Sequence, residues 1–185
     1  MRRIRYSVAM SLDGFIAGPQ GEYDWIPNES EIDWGAFMAR FDTVLMGRRS
    51  YEAALAVPGG SVLSTMRPYV FSRTLRPEDH PGVTIVGTDL EPTMENLRRG
   101  RGGKDIWLFG GGELFRSLLE RGYVDEVEVG LVPVLLGRGV PFLPSPATRV
   151  GLRLTDIRRY PSGIMLLTYE VARDANHDGE LPAST

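Results

Sequence analysis

The amino-acid sequence predicts an α/β protein: a central sheet, mostly parallel, finished by an antiparallel C-terminal hairpin. Three observations predict it. Through the earlier part of the chain, short apolar runs suited to buried strands alternate with stretches whose apolar residues recur at helical spacing. Towards the C-terminus strand-like segments crowd together, and "PSG" at 161–163 divides the final two as a hairpin turn would. Several of the earlier runs end on glycine just before a helical start, the junction expected of parallel βα units.

Taken in order, Ile4, Tyr6, Val8 and Met10 alternate with Arg5, Ser7 and Ala9, which predicts a strand. Asp13-Gly14 marks a turn, and "FIAG" follows it. Trp34, Phe37, Met38 and Phe41 fall on one face of a helix. "TVLM" (43–46) is a short buried strand that runs through Gly47 into the helical "RRSYEAAL". "YVFS" (69–72) and "VTIV" (83–86) are further strands. Pro92 in a first turn and Gly100 past the last bracket the helix "TMENLRR". "IWLF" is a strand, and Leu114, Phe115, Leu118 and Leu119 stripe a helix that ends at Gly122. "VDEVEVGLVPVL", "LRLTDIRRY" and "IMLLTYEV" complete about eight strands and four helices, with no internal repeat.

At 185 residues the chain suits one domain, expected over 1–172, with the polar segment 173–185 as a flexible tail. A net charge of −3 gives no support to a nucleic-acid or membrane-surface binder, and no apolar run is long enough to span a bilayer, so a cytoplasmic protein is expected. The absence of cysteine excludes disulfides, thiolate metal sites and cysteine nucleophiles. The two histidines, His80 and His177, lie in a Pro-flanked loop and the tail, which argues against a histidine triad or metal site. The tail carries D-x-N-x-D-G at 174–179, but a calcium loop needs a bidentate glutamate where Thr185 stands. No metal is expected.

The chemistry suggested by the glycines is anion binding. "IWLFGGGELF" runs a strand through Gly110, Gly111 and Gly112 into a helix, aiming free N–H groups and the positive helix end at one point. Phe115 stands where the dinucleotide fingerprint G-x-G-x-x-G requires its last glycine, so that motif is not present. "LMGRRS" sets Gly47, Arg48, Arg49 and Ser50 at a second strand-to-helix junction, and "VFSR" sets Ser72 and Arg73 at the end of another strand. In open parallel sheets ligands bind beyond the carboxyl ends of the strands. Glycine, hydroxyl and guanidinium groups at three such ends suit one extended phosphorylated ligand.

The segments "VAMSLDGFIAG", "DTVLMGRRSYE", "YVFSRT", "IWLFGGGELFRSLL" and "VDEVEVGLVPVLLGRGVPFL" occur in an order that resembles the dihydrofolate reductase superfold. They are most similar to the branch containing the C-terminal reductase domain of bifunctional riboflavin-biosynthesis enzymes. The resemblance spans residues 3–172 and implies a three-layer dihydrofolate reductase-like fold. It also implies NADPH as cofactor and a homodimer. Carried over to this chain, it implies that Ala9 and Ile16 offer backbone groups to the nicotinamide carboxamide. Gly47, Arg48 and Ser50 would hold phosphates from one helix N-terminus, and Gly110, Gly111 and Gly112 from the other. Ser72 and Arg73 would grip the adenosine 2′-phosphate.

On the substrate side, the resemblance implies a carboxylate four residues before a phenylalanine, a relation that Asp33 and Phe37 reproduce. Asp33 is the candidate catalytic proton source, with Phe37 and Trp25 lining the substrate pocket. Glu31 and Asp24, the latter beside Trp25, are competitors for that role, although Glu31 with Asn28 also fits a capping box; Asp13 fits a turn. Met66 stands where folate reductases place an arginine for the substrate's tail, with Arg67 one position on. The expected activity is an NADPH-dependent reductase passing hydride to a C=N or C=O of a small pterin- or aminopyrimidine-like heterocycle. An NADPH-binding module without turnover and a true dihydrofolate reductase are the alternatives.

Overall fold

The structure, a computed structural model, describes residues 1–56, 61–100 and 103–172. The expected tail, its calcium-like motif and His177 therefore lie outside the described residues.

An eight-stranded sheet forms the centre. In chain order its strands are β1 (Ile4–Ser11), β3 (Phe41–Gly47), β4 (Arg67–Phe71), β5 (Thr84–Val86), β6 (Asp105–Gly110), β7 (Glu126–Val132), β9 (Leu152–Arg159) and β10 (Met165–Val171). Their spatial order is β5-β4-β3-β6-β1-β7-β10-β9. Every pairing from β5 to β7 is parallel, and β10 runs antiparallel to both β7 and β9. This is the predicted architecture. Two short strands, β2 (Phe15–Ala17) and β8 (Val140–Pro141), form a separate antiparallel ribbon to which the sequence assigned no element. The helices are α1 (Trp34–Ala39), α2 (Arg48–Ala56), α3 (Ser61–Thr65), α4 (Leu90–Arg99) and α5 (Gly112–Glu120).

Alternation along the strands assigns the two faces. Ile4, Tyr6, Leu45, Ile106, Leu108, Val127 and Val129 point into one core, closed by Met94 and Leu97 of α4 and by Leu114, Phe115, Leu118 and Leu119 of α5. Each of those four α5 side chains contributes roughly 1.5–3 kcal/mol by leaving water. The α5 helix stops where Gly122 takes φ +70°, with Gly122 N–H donating to Leu119 O and Tyr123 N–H to Leu118 O. On the opposite face Phe41, Val44, Met46, Tyr51, Met66, Val70 and Trp107 form a second core beneath α1 and α2.

Beside that second core the sheet turns polar. Arg5 bridges Asp105 and Glu126, Arg40 pairs with Glu128 at 3.1 Å, and Ser7 donates to Glu128 at 2.9 Å. Buried carboxylates persist there because each is matched by a cation or donor.

Around the first helix the sequence reading needs correcting. The helix ends at Ala39, so Phe41 opens β3 instead of extending the helical stripe, and Trp34 is exposed. The cap is Asp33, whose side chain accepts from Ala36 N–H at 2.8 Å. The Asn28–Glu31 capping box is not what starts the helix. Glu29 is the organising carboxylate instead, accepting from Glu31 N–H at 3.0 Å and from Ser162 N–H at 3.1 Å.

Candidate functional site

The carboxyl ends of β4, β3, β6 and β1 lie side by side, and each carries residues singled out from the sequence. At the middle pair, Met46 is level with Gly110, and β3 and β6 release their chains towards α2 and α5 at the same height. A Cβ on Gly47 would sit 4.0 Å from Gly110 O. Cβ atoms on Gly110 and Gly111 would come within 3.6 and 3.5 Å of Ser50 Oγ. The two junctions therefore share one bare-backbone recess with the Ser50 hydroxyl on its wall. Gly111, as the α5 N-cap, holds φ +69° and ψ +145°, a conformation other residues rarely adopt. Gly112 is required for a different reason: a Cβ there would lie 2.5 Å from Pro141 O.

The cations are less committed. Arg48 opens α2 and pairs with Glu52 at 3.0 Å, an exposed i,i+4 bridge of the kind that contributes little and is readily exchanged. Arg49 and Arg73 are exposed. Ser72 follows β4, and its Oγ accepts from Thr74 N–H at 3.2 Å and Leu75 N–H at 3.1 Å, which fixes the turn that presents Arg73. Arg67 starts β4 at the other end of the sheet and pairs with Asp42 at 3.1 Å. It does not reach the candidate site, and neighbouring Met66 is buried in the second core.

Beside the glycine recess the sheet opens. Paired positions between β1 and β6 end at Tyr6 and Leu108, whereas β1 continues paired with β7 as far as Ser11 and Val132. Ala9 thus keeps a ladder partner on the β7 side, Gly130, and none on the β6 side. Ile16 falls at the register shift in the β2–β8 ribbon, between the paired positions Phe15 and Ala17. A bulge of this kind leaves one residue out of the ladder. Both residues expected to offer backbone groups lie where strand pairing is interrupted.

The substrate-side residues divide. Trp25 packs with Ala9, Ile32, Val134 and Leu166 around buried Val132, Tyr160 and Ile164, and its Nε1–H donates to Glu22 O. It is therefore joined to the β1 end of the site. Phe37 turns inward, edge-on to Trp107 at 5.0 Å and to Phe41 at 5.3 Å, with the Arg40 guanidinium 5.4 Å from its ring centre. Asp33 is exposed and uses Oδ1 for its cap.

Two carboxylates, Asp13, which the sequence assigns to a turn, and Glu29, which it does not single out, organise the loops here. Asp13 accepts from Ser11 Oγ at 2.6 Å, Leu136 N–H at 3.1 Å and Gly137 N–H at 2.6 Å. The Ser11 hydroxyl, followed by the two backbone donors, holds the Asp13 carboxyl below its usual range. Glu29 is lowered likewise, first by its hydrogen bond from Ser162. The only sequence signals for these contacts were the Asp-Gly turn and the glycines of "LLGRG".

A mostly parallel sheet with a ribbon over one strand end, glycine turns beneath two helices and an antiparallel closing hairpin defines a dihydrofolate reductase-like α/β protein. Comparison with known proteins narrows the class. The RibD C-terminal domain family model matches residues 2–166, and the chain belongs to that family. Membership places it among the oxidoreductase-like proteins of the RibD and dihydrofolate reductase superfamily. The Bacillus subtilis (strain 168) protein YyaP, itself uncharacterized, is 32% identical over 179 residues, covering 91% of this chain and 94% of its own. A provisional riboflavin biosynthesis protein of Shewanella sp. PV-4 superposes with a TM-score of 0.77 at 26% identity, covering 94% of this chain and all of its own. Acinetobacter baumannii RibD shares the fold, with a TM-score of 0.71 at 19% identity; the match takes in 93% of this chain but 58% of that longer one.

Proposed function

We propose that the protein is an NADPH-dependent reductase of a small heterocycle, pterin- or aminopyrimidine-like, acting at a C=N or C=O carbon. One observation carries the reading: the gap beside β1 at Ala9 lies in line with the shared recess of Gly47, Ser50, Gly110 and Gly111. A dinucleotide needs a row of this sort, with bare backbone and a hydroxyl for its diphosphate and an unpaired strand edge for its amide-bearing ring. Arg48 can leave Glu52 for a phosphate, and Ser72 and Arg73 suit a 2′-phosphate two strands away. When bound, NADPH supplies the hydride; the chain supplies placement and a proton.

In this reading Ala9 and Ile16 orient the ring by backbone hydrogen bonds, and Trp25 covers the β1 end of the pocket. Asp33 is the proton donor of this reading. Oδ1 caps α1 through Ala36 N–H, and the other carboxyl oxygen makes no bond among the described residues, so it stays available to a substrate. Phe37 contributes from behind, as support for the wall formed with Trp107 and Phe41.

Titrating NADPH into the protein while following nicotinamide fluorescence tests the cofactor. Saturable binding together with oxidation of NADPH by a ribosylaminopyrimidine or pterin supports the reading, and absence of binding overturns it. Saturable binding without turnover of either substrate class would favour the binding-module alternative, and turnover of dihydrofolate alone the folate reductase.

We further propose that the chain works as a homodimer through its closing hairpin. On β9 the side chains of Leu152, Leu154 and Ile157 are about half exposed, at 45%, 45% and 52%. Their register partners on β10 are Val171, Tyr169 and Leu167, so six apolar residues share one face at the sheet edge. A strip of that kind suits a partner surface. Light scattering should give twice the chain mass, and Leu154→Glu should return it to one.

A further inference from the structure

The segments "SLDG" and "VLLGRGVPF" lie far apart in the sequence, and the structure brings them together. Leu12 N–H donates to Val134 O at 2.8 Å, and Phe142 N–H donates to Gly14 O at 2.9 Å. Between those two bonds the chain from 134 to 142 loops around the turn that joins β1 to β2. The Asp13 side chain reaches across it. Its Oδ1 accepts from Leu136 N–H and its Oδ2 from Gly137 N–H, while Ser11 Oγ donates to Oδ1 and accepts from Phe15 N–H at 2.9 Å. Gly137 holds φ +72°, and a Cβ on Gly139 would collide with the carbonyl of Ala17. The loop is thus shaped for close approach, and Asp13 fastens it.

We infer that Asp13 is a positioning residue: by clasping the 134–142 loop to the β1–β2 turn it sets the β2–β8 ribbon, and with it the backbone of Ile16, in the geometry that receives the nicotinamide end of the cofactor. The inference rests on the NADPH reading above. Ile16 is flanked by Phe15 and Ala17, which pair with Pro141 and Val140 of that same loop, so a slack loop displaces Ile16 directly. The recess of Gly47, Ser50, Gly110 and Gly111 takes its walls from β3, β6 and the helices that follow them, whereas neighbouring Gly112 meets this loop at the Pro141 carbonyl.

Asp13→Asn tests it. The amide keeps the size of the side chain but points N–H at an N–H on one branch, removing a charge-assisted bond to a backbone donor. NADPH should bind roughly tenfold more weakly, the scale of one such bond lost. Adenosine 2′,5′-diphosphate, which occupies only the phosphate end, should bind the variant and the parent within about twofold. Equal weakening of both ligands would mark a merely structural role and overturn the assignment, as would unchanged NADPH affinity. Failure of the parent protein to bind NADPH would instead sink the cofactor reading. Amide hydrogen exchange on the parent supplies a second measurement should the variant not fold. Saturating NADPH should slow Leu136 and Gly137, and unchanged exchange there would count against the clasp.

Discussion

At the β3–α2 and β6–α5 junctions glycines leave the backbone bare, whereas at the β1–β2 turn a side chain ties backbone to backbone. Gly47, Gly110 and Gly111 leave a recess walled by Ser50, and Gly112 lies where a Cβ would meet the Pro141 carbonyl. Asp13 and Glu29, by contrast, each gather backbone donors from a distant loop, at 136–137 and at 162. The difference is between rigidity inherited from two strands and rigidity supplied by one carboxylate. Parallel strands fix these glycines through the whole sheet, so that end should tolerate changes of pH and resist local opening. The loop side depends on a few hydrogen bonds and should be the first to loosen.

The largest expected effect is on the glycine side. In Gly112→Ala the new methyl would lie 2.5 Å from Pro141 O and 2.9 Å from Pro144 Cδ, backbone and ring atoms that cannot swing away. We expect a loss of about 3 kcal/mol, the upper range for overpacking, visible as a lower midpoint in chemical denaturation. A variant as stable as the parent would show that the 141–144 segment is less firmly held against α5 than its contacts indicate.

Next is the loop side's proposed chemistry. Asparagine caps a helix about as well as aspartate, so Asp33→Asn should leave the melting temperature nearly unchanged. If Asp33 holds the proton, kcat should fall about a hundredfold, with NADPH affinity intact. A variant that turns over like the parent assigns the proton to another group, with Asp24 beside Trp25 the first to examine.

A smaller effect separates the two regions by pH. Asp13 and Glu29 both titrate below their ordinary values of 3.8 and 4.5 in the folded protein, chiefly because of hydrogen bonds they accept. Between folded and ordinary values the unfolded chain binds more protons, so stability rises with pH there. The contribution is therefore complete above the ordinary values and is lost as pH falls through the folded ones. Protection factors of the Leu136, Gly137 and Ser162 amides should fall on acidification through about pH 4. The α5 amides, which no carboxylate of the recess holds, should keep their protection in the same window. Parallel loss at both sites would erase the distinction drawn between them.

This contrast also explains what could be read from sequence. Strand runs such as "TVLM" and "IWLF" and the α5 stripe declare themselves by periodicity, so the sheet and its glycine junctions were legible. Trp34–Phe41 misled because Phe37 and Phe41 do meet, ring to ring, but across a helix end and the start of β3. The clasps were invisible for another reason. Asp13 and Gly137 are 124 positions apart, and Glu29 and Ser162 are 133 apart, with nothing in either local pattern to announce a partner. Which carboxylate caps and which one ties down a loop is decided by tertiary proximity. Asn28 and Glu31 have the spacing of a capping box, yet in the structure Asp33 caps the helix and Glu29 ties down the loop.

The smallest effect tests the floor beneath the glycine recess. Tyr6 is completely buried on β1, stacked on Phe115 of α5 at 3.9 Å between ring centres and touching Phe142 at 5.4 Å. Its hydroxyl finds no hydrogen-bond partner among the described residues, and burial raises its pKa. A buried hydroxyl without a partner costs about 1–3 kcal/mol relative to water, while the ring itself stabilises the core through stacking and burial. Tyr6→Phe keeps the ring and removes the cost, so stability should rise by about 1 kcal/mol, less than the full desolvation term because a small void replaces the oxygen. The variant should bind NADPH as the parent does, since the recess above is made of backbone and Ser50. A fall in stability would mean that the hydroxyl is satisfied in solution. A change in NADPH affinity would mean that the glycine wall rests on this aromatic stack more than on the strands that carry it.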